Sequence, residues 1–145
     1  MRKFKFIEHT ADVGIIAYGK NLPELFINAA YGMFSIITDV RKITDNRVQI
    51  TDVKVRANNL EELLIVWLNE LLYQYNTKRV LFAQFKIKKI TGKILAAQIR
   101  GEKIDSSKHP INAEIKAATY HQLKIQKNIG KNRTVRWQAE VIFDV

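Results

Sequence analysis

Val135-Arg136-Trp137-Gln138-Ala139-Glu140-Val141-Ile142-Phe143-Asp144-Val145 alternates apolar and polar residues along its length and reads as a β-strand. Successive side chains on a strand point to opposite faces. Val135, Trp137, Ala139, Val141, Phe143 and Val145 therefore share one face, and Arg136, Gln138, Glu140, Ile142 and Asp144 the other. A strand patterned into a core up to its last residue is expected to be held in place there. That sets the Asp144 side chain beside the main-chain carboxylate of Val145, and fixed neighbouring carboxylates repel unless a cation or proton neutralises them.

Working outward, Gly130-Lys131-Asn132 turns the chain into this strand. Before it, Ile115-Lys116-Ala117-Ala118-Thr119-Tyr120-His121 suits a short helix or a strand, and Leu123 and Ile125 favour the strand. Val80–Ile90 and Lys93–Arg100 read as a hairpin around Thr91-Gly92, and Ile104–Asn112 as a polar loop holding Pro110. Asn21 with Glu24, and Asn59 with Glu62, have capping-box spacing, with Asn in place of Ser or Thr. Each precedes an apolar stripe at helical recurrence: Leu25, Phe26, Ala29, Ala30, Met33, Phe34 and Ile37, then Leu60, Leu63, Leu64, Trp67, Leu68, Leu71, Leu72 and Tyr75. Both stripes read as core. Thr38–Asn46 is a polar connection, and Arg47–Ala57 alternates again, with a register slip between Ile50 and Val53 of the kind a bulge makes.

At the N-terminal end, Lys3–His9 and Val13–Gly19 read as strands flanking the Thr10-Ala11-Asp12 turn, with Gly14 giving backbone freedom near the acid. No repeat, linker or low-complexity segment interrupts this plan. The expected fold is a single two-layer α+β domain over residues 1–145, a mostly antiparallel β-sheet covered by two main helices.

Composition narrows the function classes. A chain of 145 residues with 47% hydrophobic content can bury about two-thirds of its unfolded surface around one core. It has no cysteine, which excludes disulfides, thiolate metal sites and thiol nucleophiles and fits a reducing compartment. Arg2, Lys3 and Lys5 alternate with Phe4 and Phe6, which is strand patterning rather than a secretory signal. No stretch approaches the ~20 apolar residues of a membrane span, so a soluble cytoplasmic protein is expected. Lys and Arg outnumber Asp and Glu by 24 to 14, a net charge of +10 with pI near 9.9, which favours anionic partners such as RNA or an acidic protein face. The cations are diffuse, around Lys86, Lys88, Lys89 and Lys93 and around Lys124, Lys127, Lys131, Arg133 and Arg136. Solvated outer strand faces explain them as well as a nucleic-acid footprint does.

Asp12 by itself reads as a turn residue accepting backbone hydrogen bonds, and Asp144 by itself as a solvated terminal residue. A fold that joins the two ends would gather Asp12, Asp144 and the Val145 carboxylate into an all-oxygen cluster, the donor set chosen by Ca²⁺ or Mg²⁺. His9, His109 and His121 match no paired-histidine zinc spacing. Acid/base work by Asp12 with Glu102 or His121 has no supporting motif, and neither a phosphate-binding glycine loop nor a nucleophile elbow is present. Ser106-Ser107 reads as loop, and Lys116 as a cation snorkelling from a strand edge.

Four stretches together resemble the archease family: His9-Thr10-Ala11-Asp12-Val13-Gly14-Ile15, Trp67-Leu68-Asn69-Glu70-Leu71-Leu72-Tyr73, Ile115-Lys116-Ala117-Ala118-Thr119-Tyr120-His121 and Phe143-Asp144-Val145. They occur in order and span the chain. The resemblance implies a protein cofactor of the RtcB-type tRNA-splicing ligase rather than an enzyme. Such a cofactor promotes guanylylation of the ligase histidine, permits multiple turnover and broadens nucleotide use. It also implies a Ca²⁺ site, with Mg²⁺ or Mn²⁺ as substitutes, carried onto Asp12, Asp144 and the main-chain carboxylate of Val145. His9, Glu70, Lys116 and His121 fall in the matched motifs as pocket or partner contacts, and tRNA is a further candidate partner. Two other readings stand beside it: a basic RNA-binding or RNA-chaperone module whose metal pins the termini, and a metal-dependent hydrolase built on Asp12 and Asp144.

Overall fold

Asn21 and Asn59 start the two helices as their spacing predicts. Asn21 Oδ1 accepts the Glu24 amide at 2.9 Å and Asn59 Oδ1 accepts the Glu62 amide at 2.8 Å, each satisfying a donor that a helix N-terminus leaves free. Glu24 in turn accepts the Lys20 amide at 3.3 Å, one residue before the cap. The computed structural model describes residues 2–7, 12–45 and 49–145. In it α1 spans Leu22–Ile37 and α2 spans Leu60–Lys78. Arg79 ends α2 in the left-handed region, φ 57°, with its amide bonded to the Tyr75 carbonyl at 2.9 Å.

Seven strands are described: β1 Phe4–Phe6, β2 Val13–Gly19, β3 Gln49–Arg56, β4 Val80–Ile90, β5 Ile94–Lys103, β6 Ala117–Ile129 and β7 Val135–Asp144. They form two antiparallel sheets, the larger in the order β1-β2-β7-β6 and the smaller in the order β3-β5-β4. This is the expected α+β architecture, with the strands divided between two sheets. Both helices touch both sheets, α1 through β2 and β4, α2 through β6 and β3.

The two predicted stripes are the centre of the core. All seven stripe residues of α1 are fully buried, as are Leu63, Leu64, Trp67, Leu68, Leu71 and Tyr75 of α2. The Phe34 ring meets Tyr75, Phe82 and Phe85, each with centroids 6.1 Å apart. Trp67 Nε1 donates to the Phe26 carbonyl at 3.0 Å, so its one polar atom is satisfied inside the core and ties the helices together. Each such large side chain contributes about 1.5–3 kcal/mol by leaving water.

Two local expectations change. The β3–β5 ladder runs unbroken from Gln49 opposite Gly101 to Arg56 opposite Ile94, so β3 has no bulge. Ile50 mimicked one because it is an apolar residue on the solvent side, 46% exposed. The register shifts lie instead in β4, between Phe82 and Gln84 and between Ile87 and Lys89, and in β6, between Thr119 and Lys124. The Thr38–Asn46 connection is more than polar filler. Asp39 caps a single tight turn over Val40–Lys42, Ile43 is buried, and Thr38 Oγ1 donates to the Pro110 carbonyl.

Candidate functional site at the end of the larger sheet

β7 lies between β2 and β6, so the last strand of the sequence joins a strand from near the start of the chain to the strand that precedes it. The β2–β7 ladder ends with Val13 opposite Phe143, and one register step further Asp12 falls opposite Asp144. On the other side of β7, Ala117 pairs with Asp144 and the Lys116 amide donates to the Asp144 carbonyl at 2.7 Å. Thr119 Oγ1 adds a bond to the Ile142 carbonyl at 2.9 Å. Asp12, Asp144 and Lys116 thus occupy one end of three adjacent strands.

Burial stops just short of the chain end. Phe143 is 3% exposed, whereas Asp144 and Val145 are exposed. The final strand is therefore held by Phe143 and the ladder bonds, and Asp144 reaches solvent. Gly14 serves this end through space rather than backbone freedom, since no glycine among the described residues has positive φ. A Cβ on Gly14 would lie 2.5 Å from the Val141 carbonyl oxygen and 2.9 Å from both the Ile142 and Ile7 Cδ1 atoms.

Helix α2 reaches the same end through Asn69. Its Oδ1 accepts the Ala118 amide at 2.8 Å and its Nδ2 donates to the Ala118 carbonyl at 3.2 Å. Glu70, next on the helix, accepts from Gln74 Nε2 at 2.7 Å. His121 lies in the irregular stretch of β6, exposed, its amide donating to Thr119 Oγ1 at 3.3 Å, with Gln122 at φ 55° beside it. His9 lies outside the described residues.

Directly opposed like charges destabilise an antiparallel pair. Asp12 and Asp144 form no ion pair among the described residues. Carboxylate oxygens gathered in this way suit a hard divalent cation. Among the described residues no group of three His, Asp or Glu side chains is close enough to hold a metal.

The two described histidines, His109 and His121, do not assemble. His109 is 1% exposed and sits in a cluster that sequence reading missed. Its Nδ1 accepts the Asp105 amide at 3.0 Å and its Nε2 lies 3.3 Å from Glu102. Glu102 also accepts from Lys108 Nζ and from the amides of Thr44 and Asp45. Burial opposes ionisation of Glu102, but these donors outweigh it and hold its carboxyl down to about 2. The cluster pins the turn after α1 to the loop after β5. Only the Glu102–Lys108 spacing of six residues hinted at it in the sequence.

Fold and site together define a small α+β domain in which one sheet binds both ends of the sequence. The Archease protein family model matches residues 4–145, and the chain belongs to that family. Protein archease of Pyrococcus furiosus is 40% identical over 148 residues, covering 100% of both chains. Protein archease of Methanosarcina mazei is 36% identical over 148 residues, covering 99% of this chain and 97% of its own. The solution structure of Protein 1598 of Methanobacterium thermoautotrophicum superposes with a TM-score of 0.81 at 35% identity, covering 100% of both chains. A Thermotoga maritima archease, described as a possible chaperone, shares the fold with a TM-score of 0.62 at 23% identity, covering 100% of this chain and 98% of its own.

Proposed function

We propose that this protein is a cofactor of an RtcB-type tRNA-splicing ligase, working in the cytoplasm, and not itself an enzyme. It promotes guanylylation of the ligase, sustains multiple turnover and broadens nucleotide use. Membership of the archease family over residues 4–145 carries the reading, and the register that sets Asp12 against Asp144 supports a working role for that end of the sheet.

On this reading Asp12 and Asp144 hold Ca²⁺, or Mg²⁺ or Mn²⁺ in its place, with the main-chain carboxylate of Val145 as a further ligand where the chain closes there. The ion offsets the repulsion between the carboxylates. The protein's own residues fix the edge: Phe143 anchors β7, the Lys116 amide holds the Asp144 peptide, and Asn69 holds β6. Glu70, Lys116 and His121, with His9, are proposed as contacts to the ligase around this edge.

The test is guanylylation and multiple-turnover ligation by the ligase of the same source, with and without this protein. Stimulation that Asp12→Ala or Asp144→Ala removes, while circular dichroism stays unchanged, supports the reading. A ligase indifferent to the wild-type protein would sink it. Residues appended after Val145 should weaken stimulation; if they do not, the main-chain ligand is wrong and the side-chain pair stands alone.

A further inference from the structure

The smaller sheet turns Val53, Val55, Leu95, Ala97 and Ile99 into the core. The alternate residues make its outer face, and the ladder register orders them in rows across three strands. Lys54, Ala96 and Lys89 form one row; Asp52, Gln98 and Lys86 the next; Ile50, Arg100 and Gln84 the third. The middle strand, β5, therefore gives a low, neutral floor at Ala96 and Gln98. Cations stand on either side: Lys54 and Arg56 on β3, Lys86, Lys88 and Lys89 on β4, with Arg100 closing one end. At ordinary strand spacing the two rims lie roughly 10 Å apart.

Cations outnumber acids on this face. Two acids lie on it among the described residues: Asp52 meets Lys88 at 3.8 Å with both side chains largely in solvent, a pairing worth little, and Glu102, two residues past Arg100 on β5, is taken up by Lys108, His109 and the Thr44 and Asp45 amides. None of Lys54, Arg56, Lys86, Lys89 or Arg100 forms an ion pair among the described residues. Gln98 Oε1 accepts from Arg100 Nε at 3.4 Å and from its terminal nitrogen at 3.2 Å, which orients the guanidinium and leaves donors free. Toward α1 the trough meets a groove of about 380 Å³ lined by Tyr31, Gln84, Phe85, Lys86, Gln98 and Arg100. Tyr31 gives that groove a half-buried ring, met by Phe85 in a T-shaped contact at 5.2 Å and by Lys3 Nζ 4.4 Å from its centroid, which adds a further cation to the groove.

We propose that this trough is a docking surface for single-stranded RNA, its phosphates held between the β3 and β4 cations and a base set against Tyr31. Two rows of cations along a neutral floor complement a continuous polyanion, and non-specific single-strand sites combine such a groove with aromatic platforms. A protein partner fits less well. Protein interfaces depend on buried aromatic or aliphatic anchors, and among the described residues Ile50 is the one large apolar side chain exposed on this face. The choice of RNA rests on the ligase reading, but the surface itself is measured without the ligase.

Fluorescence anisotropy of a labelled unstructured RNA 12-mer, titrated with the full chain across a salt series, tests it. Binding should weaken steeply with salt, by about 0.7 log unit of affinity per log unit of salt for each phosphate contacted. Lys54→Glu combined with Lys89→Glu should lower affinity at least tenfold at low salt and flatten the salt slope by about 1.4, two contacts' worth. Lys124→Glu combined with Lys127→Glu, on the other basic hairpin, should change it less than threefold. No binding at low salt, an equal loss from the control pair, or equally tight capture of a poly-glutamate chain of the same length would each overturn the proposal. None of these outcomes bears on stimulation of the ligase.

Discussion

Asn69 closes a two-point clamp on Ala118, accepting its amide and donating to its carbonyl, as a neighbouring strand would. β6 is an edge of the larger sheet, and β7 occupies its other side. The side chain of a helix thus stands in for the missing strand at the position that follows Ala117, the partner of Asp144.

Removing that clamp leaves two part-buried backbone groups without their partner. Asn69→Ala should cost about 1–3 kcal/mol in urea denaturation. Asn69→Asp, which keeps the acceptor and loses the donor, should fall between the variant and wild type. Faster hydrogen exchange at the Ala118 amide would locate the loss; unchanged protection there would refute the clamp.

Gly14 is needed for its lack of a side chain. Gly14→Ala should destabilise by about 1–3 kcal/mol, because the Val141 backbone must move away from β2 to admit the methyl group. Gly92, at the β4–β5 turn, has nothing within 4 Å of an added Cβ and provides the contrast. Gly92→Ala should change stability by less than about 0.5 kcal/mol.

The Glu102 cluster predicts a specific acid sensitivity. Its folded carboxyl titrates near 2, below the usual carboxylate range, so the ionised form is the one the fold prefers. The resulting stability is fully present above about pH 4.5, where the unfolded carboxyl is also ionised, and is lost as pH falls toward 2. After allowance for solvent screening it amounts to about 1–2 kcal/mol. Glu102→Gln should therefore unfold at lower urea than wild type at pH 6, with the gap closing by pH 2.5. A gap constant with pH would assign it to packing instead.

The opposed pair Asp12 and Asp144 predicts a change of sign with metal. Without divalent cations, Asp144→Asn should match or exceed wild-type stability by about 0.2–1 kcal/mol, because a cross-strand repulsion is gone. With Ca²⁺ at a hundred times its dissociation constant, wild type alone should gain about 2.7 kcal/mol. Thermal unfolding with chelator and with Ca²⁺ reads both arms, and equal responses of wild type and variant would remove the metal from this edge.

Much of the architecture was legible because burial and periodicity coincide. The α1 and α2 stripes and the Asn21 and Asn59 caps each reflect one local rule that their surroundings do not contest, whereas the alternation of β7 fails at its end, where Ile142 is buried and Val145 is 51% exposed. Ile50 misled because a lone exposed apolar residue imitates a register slip. Gly14 misled in a different way: a sequence shows that a side chain is absent but not what fills the space. The Asp12–Asp144 juxtaposition was inferred from two weak signals and depends on a ladder between distant segments. The Glu102–Lys108–His109 cluster escaped notice because its other partners, Thr44 and Asp45, lie 58 and 57 residues away.

The position of β7 has a bearing on how the chain is made. Val13 and its partner Phe143 are 143 − 13 = 130 residues apart. At ribosomal speeds of about 5–20 residues per second, β2 waits roughly 7–26 s for its neighbour to be synthesised. The β4–β5 hairpin can close locally within that interval, whereas the larger sheet cannot be completed until β7 has left the exit tunnel. Through that interval β2 is left with β1 on one edge and α1 on one face. A translation pause or truncation before Val135 would leave the opposite edge of β2 open to pairing with another nascent chain, so synthesis of the final strand acts as the checkpoint for a properly assembled molecule.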